Sequence, residues 1–189
     1  MPSPIRTFVA IDLPPAVISL LEKVQEELKT TGLRVKWVRP KNIHLTLKFI
    51  GNISPSGIDK IRGAMTDAVD DIAGINLVAR GVGVFPGIKR PRVIWVGLEG
   101  QIQLLFAMQR ALEDNLEALG FKKEKRPFKG HLTLGRFKQT VHPDKIRRLM
   151  QEYANLSSEE FTVRRIILFR SELKPTGAVY TQLQQAVLE

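Results

Sequence analysis

The sequence predicts an α+β protein of two pseudo-symmetric lobes, each an antiparallel β-sheet with helices on its outer face, with a groove between them. Three observations carry this. The tetrapeptide His-Leu-Thr-Leu occurs at 44–47 and again at 131–134, in a chain with only three histidines. Asp-Lys-Ile-Arg follows each copy, at 59–62 and 144–147, behind a turn containing Pro55 or Pro143. Two strand-like runs then follow in each half, 80–85 with 93–98 and 164–169 with 178–183, separated by polar Pro/Gly turns as hairpins are. Self-similarity at a fixed spacing dictates the fold before any single element does.

The elements follow in chain order. Residues 6–12 form a short strand, and 14–30 place Val17, Leu20, Leu21, Val24 and Leu28 at helical spacing. Residues 43–50 form the first motif strand. The segment opening at Asp59 is helical and leads into the first hairpin. In 101–119 the helical pattern returns with Ile102, Leu105, Met108, Leu112, Leu116 and Leu119, closed by Gly120 as a C-terminal cap. Residues 131–137 are the second motif strand, and a helix from Pro143 and the second hairpin complete the repeat.

With 189 residues, 43% hydrophobic and 25% charged, the chain is expected to be a single bilobal domain spanning 1–189 with its own core. There is no cysteine, which excludes a disulfide framework, a cysteine nucleophile and thiolate-bound metals, and fits a cytoplasmic location. No apolar run is long enough for a membrane span or a signal peptide. The net charge of +10 favours a polyanionic partner. Residues 34–48 hold five basic and no acidic side chains, and 121–148 hold ten basic and two acidic, so the excess is concentrated around the two motifs.

Alternation along a strand sets His44 and Thr46 on one face and Leu45 and Leu47 on the other; His131 and Thr133 repeat the arrangement. Two imidazoles facing one cleft suit displacement at phosphorus. A neutral histidine takes a proton from water while a protonated one delivers a proton to the departing oxygen. The threonine hydroxyls then hydrogen-bond the non-bridging oxygens. Residue types alone leave open which histidine is acid and which is base. Arg136, two past Leu134, and Lys48, two past Thr46, are expected on the faces of the catalytic pairs, Arg136 as a further phosphate ligand. No metal site is expected from the three histidines, which have no carboxylate at ligand spacing within the motifs.

The paired His-x-Thr-x motifs, with residues 6–14 (RTFVAIDLP), 35–51 (VKWVRPKNIHLTLKFIG), 85–87 (FPG), 90–95 (RPRVIW) and 171–180 (SELKPTGAVY), resemble the two-histidine phosphoesterase superfamily. Within it, the chain is similar to the RNA 2′,3′-cyclic phosphodiesterases also described as 2′–5′ RNA ligases. The resemblance implies hydrolysis of a terminal RNA 2′,3′-cyclic phosphate to a 2′-phosphomonoester, without metal or cofactor. It implies His44 as proton donor and His131 as proton acceptor. Thr46, Thr133 and Arg136 are the phosphate-binding candidates; Lys48, Phe8, Phe49, Arg90 and Arg92 are candidate RNA contacts. RNA ends are the expected partner, with no membrane and with a monomer as the working unit. Two alternatives are 2′–5′ ligation, in which a 5′-hydroxyl replaces water, and an RNA-binding module that does no chemistry.

Overall fold

The computed structural model describes residues 3–175 and 177–189. Its elements are β1 (Ile5–Ile11), α1 (Pro15–Thr30), β2 (Val35–Trp37), β3 (Leu45–Ile53), α2 (Ile58–Val69), β4 (Ile75–Phe85), β5 (Val93–Gly100), α3 (Ile102–Ala118), β6 (Leu132–Phe137), α4 (Pro143–Glu152), β7 (Phe161–Val163), β8 (Arg165–Lys174) and β9 (Gly177–Val187). Proline at the first turn opens α1 and α4, where a missing N–H costs nothing. Gly120, at φ +90°, ends α3: its N–H bonds Glu117 O while Phe121 N–H bonds Leu116 O, which satisfies the last carbonyls. β2 and β7 are three residues each, too short for alternation to reveal them in the sequence.

All strands join one antiparallel, curled sheet in the order β7-β4-β5-β6-β3-β1-β8-β9, with β2 pairing β6. The hairpins are exchanged between the repeats. β4–β5, which follows the first motif in the chain, lies against the second motif strand β6; β8–β9, which follows the second, lies against β1 beside β3. The two lobes are therefore not the two halves of the chain. Their strands pair at one position, Leu45 opposite Leu132.

The motif leucines face the helices and are at most 3% exposed. Burying each contributes about 1.5–3 kcal/mol. Past the motifs, each strand carries an extra residue. Ala10 pairs with Thr46 but Val9 with Lys48, so Leu47 is unmatched; Trp95 pairs with Thr133 but Ile94 with Gly135, so Leu134 is unmatched. The two bulges give β3 and β6 the same order of burial over their first six residues: buried, half-buried, buried, buried, exposed, half-buried. A bulge re-aims the side chains beyond it. Phe49 and Arg136 turn to the cleft, and Lys48 and Gly135 turn to the core.

Each bulge is held by a buried glutamine. Gln25 of α1 donates to Leu134 O and Val38 O at 2.8 Å each, and Gln109 of α3 donates to Leu47 O at 3.3 Å. The glutamines stand in equivalent apolar stripes, Leu21-x-x-Val24-Gln25-x-x-Leu28 and Leu105-x-x-Met108-Gln109-x-x-Leu112. Here too the repeats exchange, since the first repeat's helix serves the second repeat's strand and the reverse.

Candidate active site

His44 and His131 stand one residue before β3 and β6, at the pair that joins the lobes. Continuing the Leu45–Leu132 register by one residue in each direction sets His44 opposite Thr133 and His131 opposite Thr46. Each histidine's cross-strand neighbour is thus the threonine of the other motif. The rings are held alike: His44 Nδ1 donates to Asn42 O and His131 Nδ1 to Lys129 O, both at 2.7 Å. A carbonyl only accepts, so Nδ1 carries the hydrogen and Nε2 is left to exchange a proton. Asn42 is itself fixed, its Nδ2 donating to Ala178 O of β9 at 2.8 Å.

Aromatic rings wall both histidines. His44 lies 4.9 Å from Phe8 and 5.3 Å from Tyr180, centroid to centroid, and His131 lies 4.9 Å from Phe85 and 6.3 Å from Trp95. Gly83 makes room for Trp95, because a Cβ there would sit 2.3 Å from the indole carbons. Burial lowers the pKa of both histidines below the ordinary value, partly opposed by their carbonyl bonds; the charge of His131 lowers His44 further, and that of Arg136 lowers His131. Burial raises the Tyr180 phenol, against the lowering effect of Arg6 and Arg136. Arg136 thus acts on both sides of the cleft.

A cavity of about 310 Å³ opens beside His44, lined among others by Asp12, Ile18, Asn42, Phe169 and Tyr180. Among the described residues, no three histidine, aspartate or glutamate side chains gather as a metal-binding group, and no helix is long and apolar enough to cross a membrane.

His44, His131, Thr46, Thr133, Arg136 and Phe49 are brought together. Arg136 faces the cleft as expected, but the bulge and not alternation puts it there: two past Leu134, strict alternation would have set it with Leu132 and Leu134. Lys48 corrects the expectation of an RNA contact: the matching bulge turns it inward, 3% exposed, with Nζ 2.7 Å from both Glu113 Oε2 and Lys122 O. Phe8 is corrected too. It lies on the cleft side but is 3% exposed beneath His44, Tyr180 and Phe49, so it forms the floor and offers no face to a base. Phe49 is 59% exposed and does offer one. Arg90 and Arg92 are exposed at the far end of β6, away from the histidines.

Residues 11–95 match the sequence model of the LigT-like phosphoesterase family, and residues 96–180 match it a second time. The chain belongs to this family. The RNA 2′,3′-cyclic phosphodiesterase of Methanothermobacter thermautotrophicus is 33% identical over 180 residues, covering 95% of this chain and 97% of that one. That of Thermotoga maritima is 32% identical over 184 residues, covering 97% and 96%. A crystal structure from Thermus thermophilus superposes with a TM-score of 0.77 at 29% identity, covering 97% of each chain. In this LigT-like phosphoesterase the boundary between the two family matches falls inside β5, the strand that pairs with the other repeat's motif.

Sequence reasoning missed Tyr180, Phe169, Asn42 and the glutamines as parts of the site. The glutamines carried a signal, a lone polar residue in each of two matching apolar stripes. Tyr180 and Phe169 carried none, because they reach His44 only through the hairpin exchange.

Proposed function

We propose that the chain opens a terminal RNA 2′,3′-cyclic phosphate to the 2′-phosphomonoester by paired histidine acid–base catalysis, without metal or cofactor. The observation that carries this is the identical Nδ1–carbonyl tether of His44 and His131, which holds two imidazoles at one cleft with Nε2 free to transfer protons. The two full-length relatives named RNA 2′,3′-cyclic phosphodiesterase support the substrate class.

Neutral His131 takes a proton from water as the water oxygen bonds phosphorus. Protonated His44 gives its proton to O3′ as the P–O3′ bond breaks, and the phosphate stays on O2′. In a cyclic phosphate both ester oxygens belong to the ribose, so the nucleoside lies on the leaving-group side and water attacks from the opposite side. The cavity beside His44 accommodates the nucleoside, which supports His44 as acid and His131 as base. Thr46, Thr133 and Arg136 hold the non-bridging oxygens, whose charge must be balanced in the transition state. One chain supplies both histidines, so a monomer suffices, and a cysteine-free chain accords with a cytoplasmic setting.

The depressed histidine pKa values set the pH dependence. The active free enzyme has His44 protonated and His131 neutral, a state most populated between two macroscopic values that are both lowered from the ordinary histidine value by burial. The kcat/KM profile is expected to be a bell with its maximum below about pH 6.5. In kcat the bell moves to higher pH, since bound phosphate stabilises the imidazolium. A kcat/KM maximum well above pH 7 would contradict the lowered values.

Offering an RNA with a cyclic-phosphate end together with an RNA bearing a 5′-hydroxyl tests hydrolysis against ligation. The expected product is the 2′-phosphate-ended RNA; predominance of a joined strand would overturn the reading.

A further inference from the structure

Lys36 of β2 is directly opposite Arg136 of β6. Residues so paired in an antiparallel sheet project from the same face with Cβ atoms about 4.5–5.5 Å apart, and like charges there destabilise the sheet. Both are exposed, and neither has an acidic partner among the described residues. Folding alone gives no reason for this pair. An anion held between them does.

The pair is not isolated. One residue further along β6 lies a broad basin of about 630 Å³, lined by Lys89, Arg90, Arg92, Lys138 and Phe137 with no acidic residue. Arg92 is tied to this strand end, its carbonyl accepting from Phe137 N–H at 3.0 Å. Three stretches without a single Asp or Glu converge here: 28–58, 81–98 and 125–143. Some exposed cations elsewhere have acidic partners, as Lys123 has Asp114 and Glu117, Arg80 has Glu99, and Arg165 has Asp12. From His131 to Lys138 the strand runs about 20 Å at roughly 3.3 Å per residue. That is too long for the terminal phosphate alone.

We propose that the Lys89–Arg90–Arg92–Lys138 basin, with Lys36 beside it, binds the phosphodiester backbone of the RNA leading up to the cyclic phosphate at Arg136, so that the enzyme selects RNA strands over mononucleotides. This rests on the reading of the histidine cleft given above. The contact is to phosphates, so it is independent of base sequence and strongly dependent on salt.

The test compares a nucleoside 2′,3′-cyclic phosphate with an oligoribonucleotide ending in the same group, for the native chain, Arg92→Ala, Lys138→Ala and the double variant. The native chain is expected to show a lower KM for the oligonucleotide. The double variant raises that KM by about tenfold at low salt, with kcat and both mononucleotide constants unchanged. Each lost phosphate contact flattens the slope of log affinity against log salt by about 0.7. Equal effects on both substrates, or no advantage of the oligonucleotide in the native chain, would overturn the proposal. Fluorescence anisotropy of a labelled oligonucleotide ending in a 2′-phosphate gives the answer without turnover. Weaker binding and a flatter salt slope in the double variant support the backbone track even if the chemistry assigned to the cleft is wrong; unchanged binding refutes the track even if that chemistry is right.

Discussion

Alanine at either His44 or His131 is expected to lower kcat for a nucleoside 2′,3′-cyclic phosphate by about 10²–10⁴-fold, the usual contribution of a positioned proton-transfer group. Both positions lie just outside the strands, so circular dichroism and the unfolding midpoint should stay close to native. The double variant should lose little more than the worse single one, because the two groups act in one transition state and their effects do not add. The two variants should also differ in pH dependence. Without His44 the alkaline limb of the bell disappears, since no acid remains to be deprotonated; without His131 the acid limb disappears. Residual rates large enough to measure after a single substitution would show this. A variant that keeps native kcat would remove its histidine from the mechanism.

Lys48→Ala should have the largest effect on stability. Lys48 and Glu113 form a buried pair at 2.7 Å, and Glu113 also accepts from Gln109 Nε2 at 3.3 Å and from Glu124 N–H at 3.4 Å. Removing the lysine leaves a buried carboxylate without its counter-charge, which costs about 3–5 kcal/mol. For a chain of this length that lowers the melting temperature by on the order of 10 °C. Lys48→Met combined with Glu113→Leu removes both charges and should recover part of the loss. Thermal or urea unfolding measures this. A Lys48→Ala variant as stable as the native chain would mean that the bulge leaves Lys48 in contact with water.

The same bulge marks how far the sequence could be read. The repeat placed both motif strands, the helices and the hairpins, because apolar periodicity, the Pro-opened helices and Gly120 are local signals. The histidine–threonine faces followed from alternation alone. Beyond Leu47 and Leu134 alternation fails, because an extra residue reverses it, and Lys48 and Arg136 exchange the faces that counting by twos would give them. What holds those extra residues, Gln25 and Gln109, is a long-range contact between repeats. The hairpin exchange is equally non-local. Nothing within 80–98 or 164–183 shows which motif strand a hairpin will join, so Tyr180 beside His44 and Trp95 beside His131 were visible only in three dimensions.

The most direct measurement on the central claim is phosphorus NMR of a nucleoside 2′,3′-cyclic phosphate incubated with the native chain in excess EDTA. Conversion of the cyclic resonance to the 2′-monophosphate alone is expected. No conversion until a divalent metal is restored, or a 3′-monophosphate product, would contradict it.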